Sequence, residues 1–266
     1  MGVDDGRNAS VANDTDALRI VTLAPHLAEL VVSAGAESQL VGVSAYSDFP
    51  ASLLSLPVVS DGFRIDAEAL LAVRPDIVLA WGGGGQQASI DLLERLDLNY
   101  IQLDGRTLAD VSDSLRRIGV LVGKASVAQA AADQFDAQIA ALGAERMPVS
   151  VFYQIGANPL YTVNGQHFIS ELIVACGGTN IFADLPVMAP VVSVEAVVQR
   201  DPDVVLHAGQ AHEPSIWRRW PELTVNQADN WVAIPGDLVA RPSLRLAEGG
   251  AAICQALDEA RERLPH

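Results

Sequence analysis

Glu29-Leu30-Val31-Val32-Ser33-Ala34-Gly35-Ala36 decides the fold, because it returns as Glu171-Leu172-Ile173-Val174-Ala175-Cys176-Gly177-Gly178. A second pair follows in the same order. Glu68-Ala69 leads into Pro75-Asp76-Ile77-Val78-Leu79, and Glu195-Ala196 leads into Pro202-Asp203-Val204-Val205-Leu206. The two matches are offset by 142 and 127 positions, so the first half carries about fifteen more residues between them. One α/β unit used twice predicts two similar lobes, and a two-lobed chain has its natural ligand site in the crevice between them.

Outward from that motif, Arg19 to Leu23 reads as a strand, Ala24-Pro25-His26 as a turn, and Leu27 to Ala34 as a helix closed by Gly35. Helix 66–73 leads through Arg74-Pro75-Asp76 into the apolar run Ile77 to Ala80, which reads as a buried parallel strand ended by Gly82 to Gly85. The segment Leu92 to Leu96, strand 100–103 and helix 108–121 complete the first series. The alanine-rich segment from Ser126 to Met147 spaces Val127, Ala131, Phe135, Ile139 and Leu142 as one long helix, and the next strand series starts at Val149. The expected organisation is a flexible N-terminal segment 1–17, an N-terminal lobe 18–124, a connecting helix 125–147 and a C-terminal lobe 148–266. Two Rossmann-like α/β lobes with central sheets, joined by one stiff helix, imply small hinge motion rather than wide closure.

Composition narrows the partners. With 33 acidic residues against 17 basic ones, Lys124 being the single lysine, the net charge is −16, which disfavours nucleic acid and anionic membranes. No apolar run approaches the roughly 18 residues of a membrane helix. Met1-Gly2-Val3-Asp4-Asp5-Gly6 is polar and acidic, so the reading is a cytosolic protein or one whose leader is absent. Cys176 and Cys254 are either two buried thiols or a bridge tying the second repeat helix to the C-terminal helix. No G-x-S-x-G, H-E-x-x-H, G-x-G-x-x-G or Walker lysine motif occurs, and His167, His207, His212 and His266 lack metal-ligand spacing. An enzyme and a zinc or manganese carrier are therefore disfavoured.

Ligands of α/β sheets sit outside the carboxyl ends of the strands. Here those ends carry Pro25 and His26, Trp81 and Gly82, and the end of a strand at Tyr153 with the loop Gln154 to Pro159 that contains Asn158. His26 at the crevice mouth is a candidate axial ligand to cobalt or iron; the plainer alternative is a capping or solvated histidine.

Ile20-Val21-Thr22-Leu23-Ala24-Pro25, Gly42-Val43-Ser44-Ala45-Tyr46-Ser47-Asp48-Phe49-Pro50, Arg74-Pro75-Asp76-Ile77-Val78-Leu79-Ala80-Trp81 and Cys176-Gly177-Gly178-Thr179-Asn180-Ile181-Phe182 resemble the periplasmic cobalamin-binding proteins of ABC importers. These belong to the helix-linked substrate-binding proteins that also carry haem and ferric siderophores. The similarity covers about residues 19 to 260. It implies a monomeric extracytoplasmic protein that holds no cofactor, binds a macrocycle, cobalamin or a related corrinoid, and delivers it to ABC permease subunits without inserting in the membrane. It further implies a Cys176–Cys254 disulfide, a ring-facing wall of Tyr46, Phe63 and Trp81, a polar pair Asp237 and Arg241 at the ligand's amide periphery, and permease-docking acids Glu68 and Glu195. Without the resemblance, the aromatics read as core, Asp237 and Arg241 as a surface ion pair, and the two glutamates as helix-dipole partners. Val187-Met188-Ala189-Pro190 departs from the pattern, since the cobalamin binders tend to place a tryptophan there. Alternatives are a haem or ferric-siderophore carrier, and a cytosolic chelatase-like enzyme with reduced cysteines.

Overall fold

The repeat resolves into two parallel sheets covered by helices. The computed structural model describes residues 17–82, 87–143, 145–208 and 214–264. The expected N-terminal segment thus lies outside the described residues except for Ala17. The first half runs β1 (Ile20–Thr22), α1 (Pro25–Ser33), β2 (Leu40–Ser44), β3 (Val58–Ser60), α2 (Ala67–Ala72), β4 (Ile77–Trp81), α3 (Gln87–Arg95), β5 (Tyr100–Leu103) and α4 (Leu108–Leu121). Its strands are all parallel in the order β3-β2-β1-β4-β5. After α5 (Ala125–Leu142) come β6 (Val149–Gln154), the hairpin β7 (Gly156–Ala157) and β8 (Leu160–Tyr161), α6 (Phe168–Ala175), β9 (Gly178–Asn180), α7 (Val194–Arg200), β10 (Val204–Ala208), α8 (Thr224–Gln227), β11 (Trp231–Ile234), α9 (Gly236–Val239) and α10 (Leu246–Arg263). The second sheet is parallel too, in the order β11-β10-β6-β9.

The repeated residues have repeated physical tasks. Asp66 caps α2 by accepting the Ala69 N–H at 3.0 Å, and Ser193 caps α7 by accepting the Ala196 N–H at 3.1 Å. Each aspartate of the Pro-Asp motif ties its strand to the central one: Asp76 accepts the Arg19 N–H at 2.8 Å, and Asp203 accepts the Ser150 N–H at 2.7 Å.

Two boundaries differ from the sequence expectation. Helix α1 starts at Pro25, so Pro25 and His26 are helical rather than a turn; a proline in the first turn has no N–H to lose and its φ is already helical. Helix α5 stops at Leu142 instead of reaching Met147. Gly143 ends it, and the Arg146 guanidinium turns back to the Leu142 carbonyl at 2.8 Å and to Asp258 at 3.0 Å, drawing the chain toward α10.

One buried cluster runs from Leu27 and Leu79 through Ala128, Ala132 and Phe135 of α5 to Val151, Leu172 and Leu206. The inner faces of the two sheets therefore share a core, while the outer faces keep their own, around Val21 and Val78 and around Phe152 and Trp217. Helices α4 and α5 meet where Gly119 has no side chain; a Cβ there would come within 2.2 Å of the Ala128 Cβ. Cys176, at the end of α6, is disulfide-bonded to Cys254 of α10. Among the described residues no helix is long and apolar enough to cross a membrane.

Candidate functional site

Successive strands switch from one side of the sheet to the other between β1 and β4 in the first sheet and between β6 and β10 in the second, while all run parallel, which opens a crevice beyond the carboxyl ends of those strands. At the first of these points lies a hollow of about 490 Å³, lined by Pro25, His26, Tyr46, Phe63 and Trp81 and, from the second lobe, by Arg241. Six of the sequence-predicted ligand residues are thus brought together.

The aromatic wall is built to stay exposed. Tyr46 is 77% and Phe63 89% accessible. Tyr46 occupies the left-handed region at φ 65°, an uncommon conformation for a residue other than glycine, directly after β2. Phe63 rides on a turn fixed without its ring, since Asp61 Oδ1 accepts the N–H of Phe63 at 2.8 Å and of Arg64 at 2.7 Å. Those two bonds, with Arg64's first, hold the Asp61 carboxyl below the usual range. Large apolar rings left in water at a concave site supply the flat, stiff surface that a macrocycle stacks on.

Behind that wall, His26 meets Trp81 edge to face at 5.5 Å. The histidine is 4% exposed and makes no capping hydrogen bond, so it is neither the cap nor the solvated residue that its position suggests. Its Nε2 is sealed from solvent, and ligation of a metal through that nitrogen requires the ring to leave its packing on Trp81. Burial, with Arg241 nearby, lowers its pKa to about 3. His167, which caps α6 by accepting the Ile169 N–H at 3.2 Å, is lowered by burial to about 4. Both imidazoles are neutral in the folded protein at pH 7. In the unfolded chain they take up protons below about pH 6.5, which the folded state refuses until pH 4 or 3, so stability is complete above 6.5 and falls as pH drops through that window. Each should cost about 2 kcal/mol by pH 5. Chemical denaturation at pH 7 and pH 5 checks this, and His167→Asn, which keeps an acceptor for Ile169, should remove about half of the loss; an equal loss in that variant would refute the assignment.

At Gly82 a Cβ would lie 2.9 Å from Oδ1 of Asp104, whose exposed side chain is free to move aside. The remaining glycines of the expected loop, Gly83 to Gly85, lie outside the described residues, as do His212 and His266.

Asp237 and Arg241 do not form the surface ion pair of the plainer reading. Arg241 Nη1 donates to Asp48 at 2.7 Å and to Glu29 at 3.1 Å, while Asp237 is an exposed residue in the first turn of α9 with no ion pair to Arg241. The hydrogen bond from Arg241 holds the Asp48 carboxyl below its usual range. Arg245 stacks over the Phe49 ring at 4.4 Å, so two second-lobe arginines grip the loop that carries Tyr46.

Tyr153 requires correction: it is 2% exposed on β6 and packs into the shared core, because alternation along the strand sends its ring inward, so it does not line the crevice. Asn158 stays exposed on the hairpin loop, ahead of a cis peptide bond to Pro159. Tyr161, which the sequence reading did not single out, is exposed on β8 while its neighbour Leu160 is buried. Beside it, the Thr162 and Asn164 N–H groups donate to the Pro190 and Met188 carbonyls at 3.1 and 2.9 Å, which lays the 187–191 segment along the hairpin with Val187 and Val191 exposed. Glu68 and Glu195 are exposed in the first turns of α2 and α7, and neither forms an ion pair among the described residues.

Comparison with known proteins bears on the family and the fold. The model of the periplasmic binding protein family matches residues 20–226. A vitamin B12-binding protein of Vibrio cholerae serotype O1 is 32% identical over 258 residues, spanning 95% of this chain and 94% of that protein. One from Pectobacterium atrosepticum is 33% identical over 253 residues, 91% of this chain and 88% of its own length. The crystal structure of the periplasmic vitamin B12 binding protein BtuF of Vibrio cholerae superposes with a TM-score of 0.84 at 31% identity, covering 92% of this chain and 98% of that one. The periplasmic heme binding protein HutB of Vibrio cholerae shares the fold, with a TM-score of 0.78 at 23% identity over 90% of this chain and 98% of its own.

Proposed function

This chain belongs to the periplasmic binding protein family, and from that premise we propose that it is the extracytoplasmic component that captures a corrinoid, cobalamin foremost, and delivers it to the permease of an ABC importer. It performs no chemistry on its cargo. The observation that carries the corrinoid reading is the wall of Tyr46, Phe63 and Trp81 at the first-lobe switch point, beside a hollow of about 490 Å³. Relatives at 32% and 33% identity over nearly the whole chain are vitamin B12-binding proteins, whereas the heme-binding HutB resembles this chain in fold alone.

The roles follow from chemistry. Tyr46 and Phe63 stack on the ring, Trp81 backs them with its indole edge held by His26, and the crevice excludes water from the contact. Asn158 and Asp237, both exposed and polar, offer a donor and an acceptor to the amides at the ring's edge. On the second lobe Tyr161, Val187 and Val191 supply an aliphatic-rich face where a tryptophan is absent. His26, packed edge to face on Trp81 with its Nε2 buried, supports the aromatic wall from behind.

Titration with cobalamin, cobinamide and haem tests the reading. Tight binding of corrinoids and weak binding of haem is expected, and the reverse order would replace it. Trp81→Ala should weaken cobalamin binding by about 1–3 kcal/mol while the protein stays folded. Unchanged affinity in a folded variant would remove Trp81 from the site.

A further inference from the structure

Glu29 and Glu171 hold equivalent places in the repeat, and each reaches out of its own lobe. On α1, Glu29 is 4% exposed, and its Oε1 accepts from Arg241 Nη1 at 3.1 Å and lies 4.0 Å from Arg245 Nη1. Both arginines belong to the second lobe, in the segment that leads into α10. On α6, Glu171 Oε2 accepts the backbone N–H of Leu108 at 2.7 Å. Leu108 is the first residue of α4, in the first lobe, and the Phe168 N–H donates to the Arg106 carbonyl at 2.8 Å beside it. Helices α4 and α10 are themselves counterparts, since α4 follows β5 and α10 follows β11 after the intervening α9.

We propose that Glu29 and Glu171 form a reciprocal clasp that fixes the width of the crevice and thereby positions the ring-facing residues. The same acid on the same helix of each lobe holds the approach to the same helix of the other. Each bond has a reason to be strong. The Leu108 amide is among the backbone donors that a helix start leaves without intrahelical partners, and a carboxylate there also meets the positive end of the α4 dipole. The Glu29 carboxylate is buried, and a buried charge holds its cationic partner because separation would leave both desolvated and unpaired. At the Glu29 end the clasp continues outward: Arg241 passes on to Asp48 at 2.7 Å, and Asp48 stands two residues from Tyr46. Crevice width and the placement of one ring-facing aromatic are therefore set together. The shared core through α5 limits how far the lobes can move, and the two acids select a position within that limit.

The test reads width directly and needs no ligand, so it is independent of the corrinoid reading. Spin labels at Ser52→Cys on the first lobe and Gln199→Cys on the second report the distance between lobes by pulsed dipolar spectroscopy. The native pair should give one narrow distribution. Glu29→Leu with Glu171→Leu should broaden it, Glu171→Leu alone should broaden it partly, and Glu171→Gln, which keeps an oxygen for the Leu108 N–H, should restore the native width. A lobe pair at the competent width only about a tenth of the time binds ligand about tenfold more weakly, which cobalamin titration of the same variants would show. A native distribution in the folded double variant overturns the clasp. Should the double variant not fold, Glu171→Leu decides, and a native width there overturns it equally. Broadening without any loss of cobalamin affinity keeps the clasp and counts against the corrinoid site.

Discussion

Reversing both Glu68 and Glu195 to arginine is expected to abolish ligand uptake while leaving ligand affinity unchanged. The two acids stand at equivalent positions, one per lobe, each in the first turn of a helix whose cap is made by another residue, Asp66 or Ser193. Neither is needed to start its helix. Their contribution through the helix dipole is about 0.3–1 kcal/mol each, too small for reversal to unfold the protein. Two charges set on a body whose lobes share a core are spaced rigidly, and such a pair specifies which face docks and in which orientation. We propose that each meets a cationic side chain on one permease subunit. Reversal replaces two attractions with two like-charge contacts, so the double variant should neither bind the permease nor support transport, and each single variant should fall between. Uptake is measured in cells where the permease is present and limiting, alongside cobalamin titration of the purified variants. Full uptake by the double variant would show that the acids serve their helices alone.

Removing the Cys176–Cys254 bridge should cost about 4 kcal/mol, the loss of loop-closure constraint expected for cysteines 78 residues apart. The loop it closes holds α7, β10, β11 and α9, so the constraint acts on the unfolded form of most of the second lobe. In a protein of this size the loss corresponds to a melting temperature lower by roughly 10 °C. Cys176→Ala with Cys254→Ala is preferable to chemical reduction because both sulfurs are buried against reductant. Thermal unfolding of the native and doubly substituted proteins, with thiol counting on the native one, gives the answer. Two titratable thiols in the native protein would contradict the bridge and revive the reading of a cytosolic enzyme; an unchanged melting point would show that the loop is already restrained when unfolded.

The sequence by itself determined the architecture, because a duplicated motif is read in one dimension. The two copies of Glu-Leu-x-Val and of Pro-Asp before an apolar run led to two lobes, the helix between them and equivalent acids, and apolar runs such as Ile77 to Ala80 became buried parallel strands. Turn chemistry, in contrast, depends on what the chain meets. Helix α5 ends at Gly143, and beyond it Arg146 finds Asp258 on a helix more than a hundred residues later, a bond that no local pattern records. The same holds within the site. Tyr46 and Phe63 stand exposed and Trp81 half-buried around one hollow, whereas Tyr153 turned inward by strand alternation and Tyr161 took an outward place. His26 read in sequence as a candidate axial ligand or a capping residue; its burial against Trp81, which holds it neutral, comes from packing. Only the tertiary structure decided that Arg241 bonds Glu29 and Asp48 rather than Asp237, since a guanidinium's choice of partner is set by distances of about 3 Å between segments that the sequence keeps some two hundred residues apart.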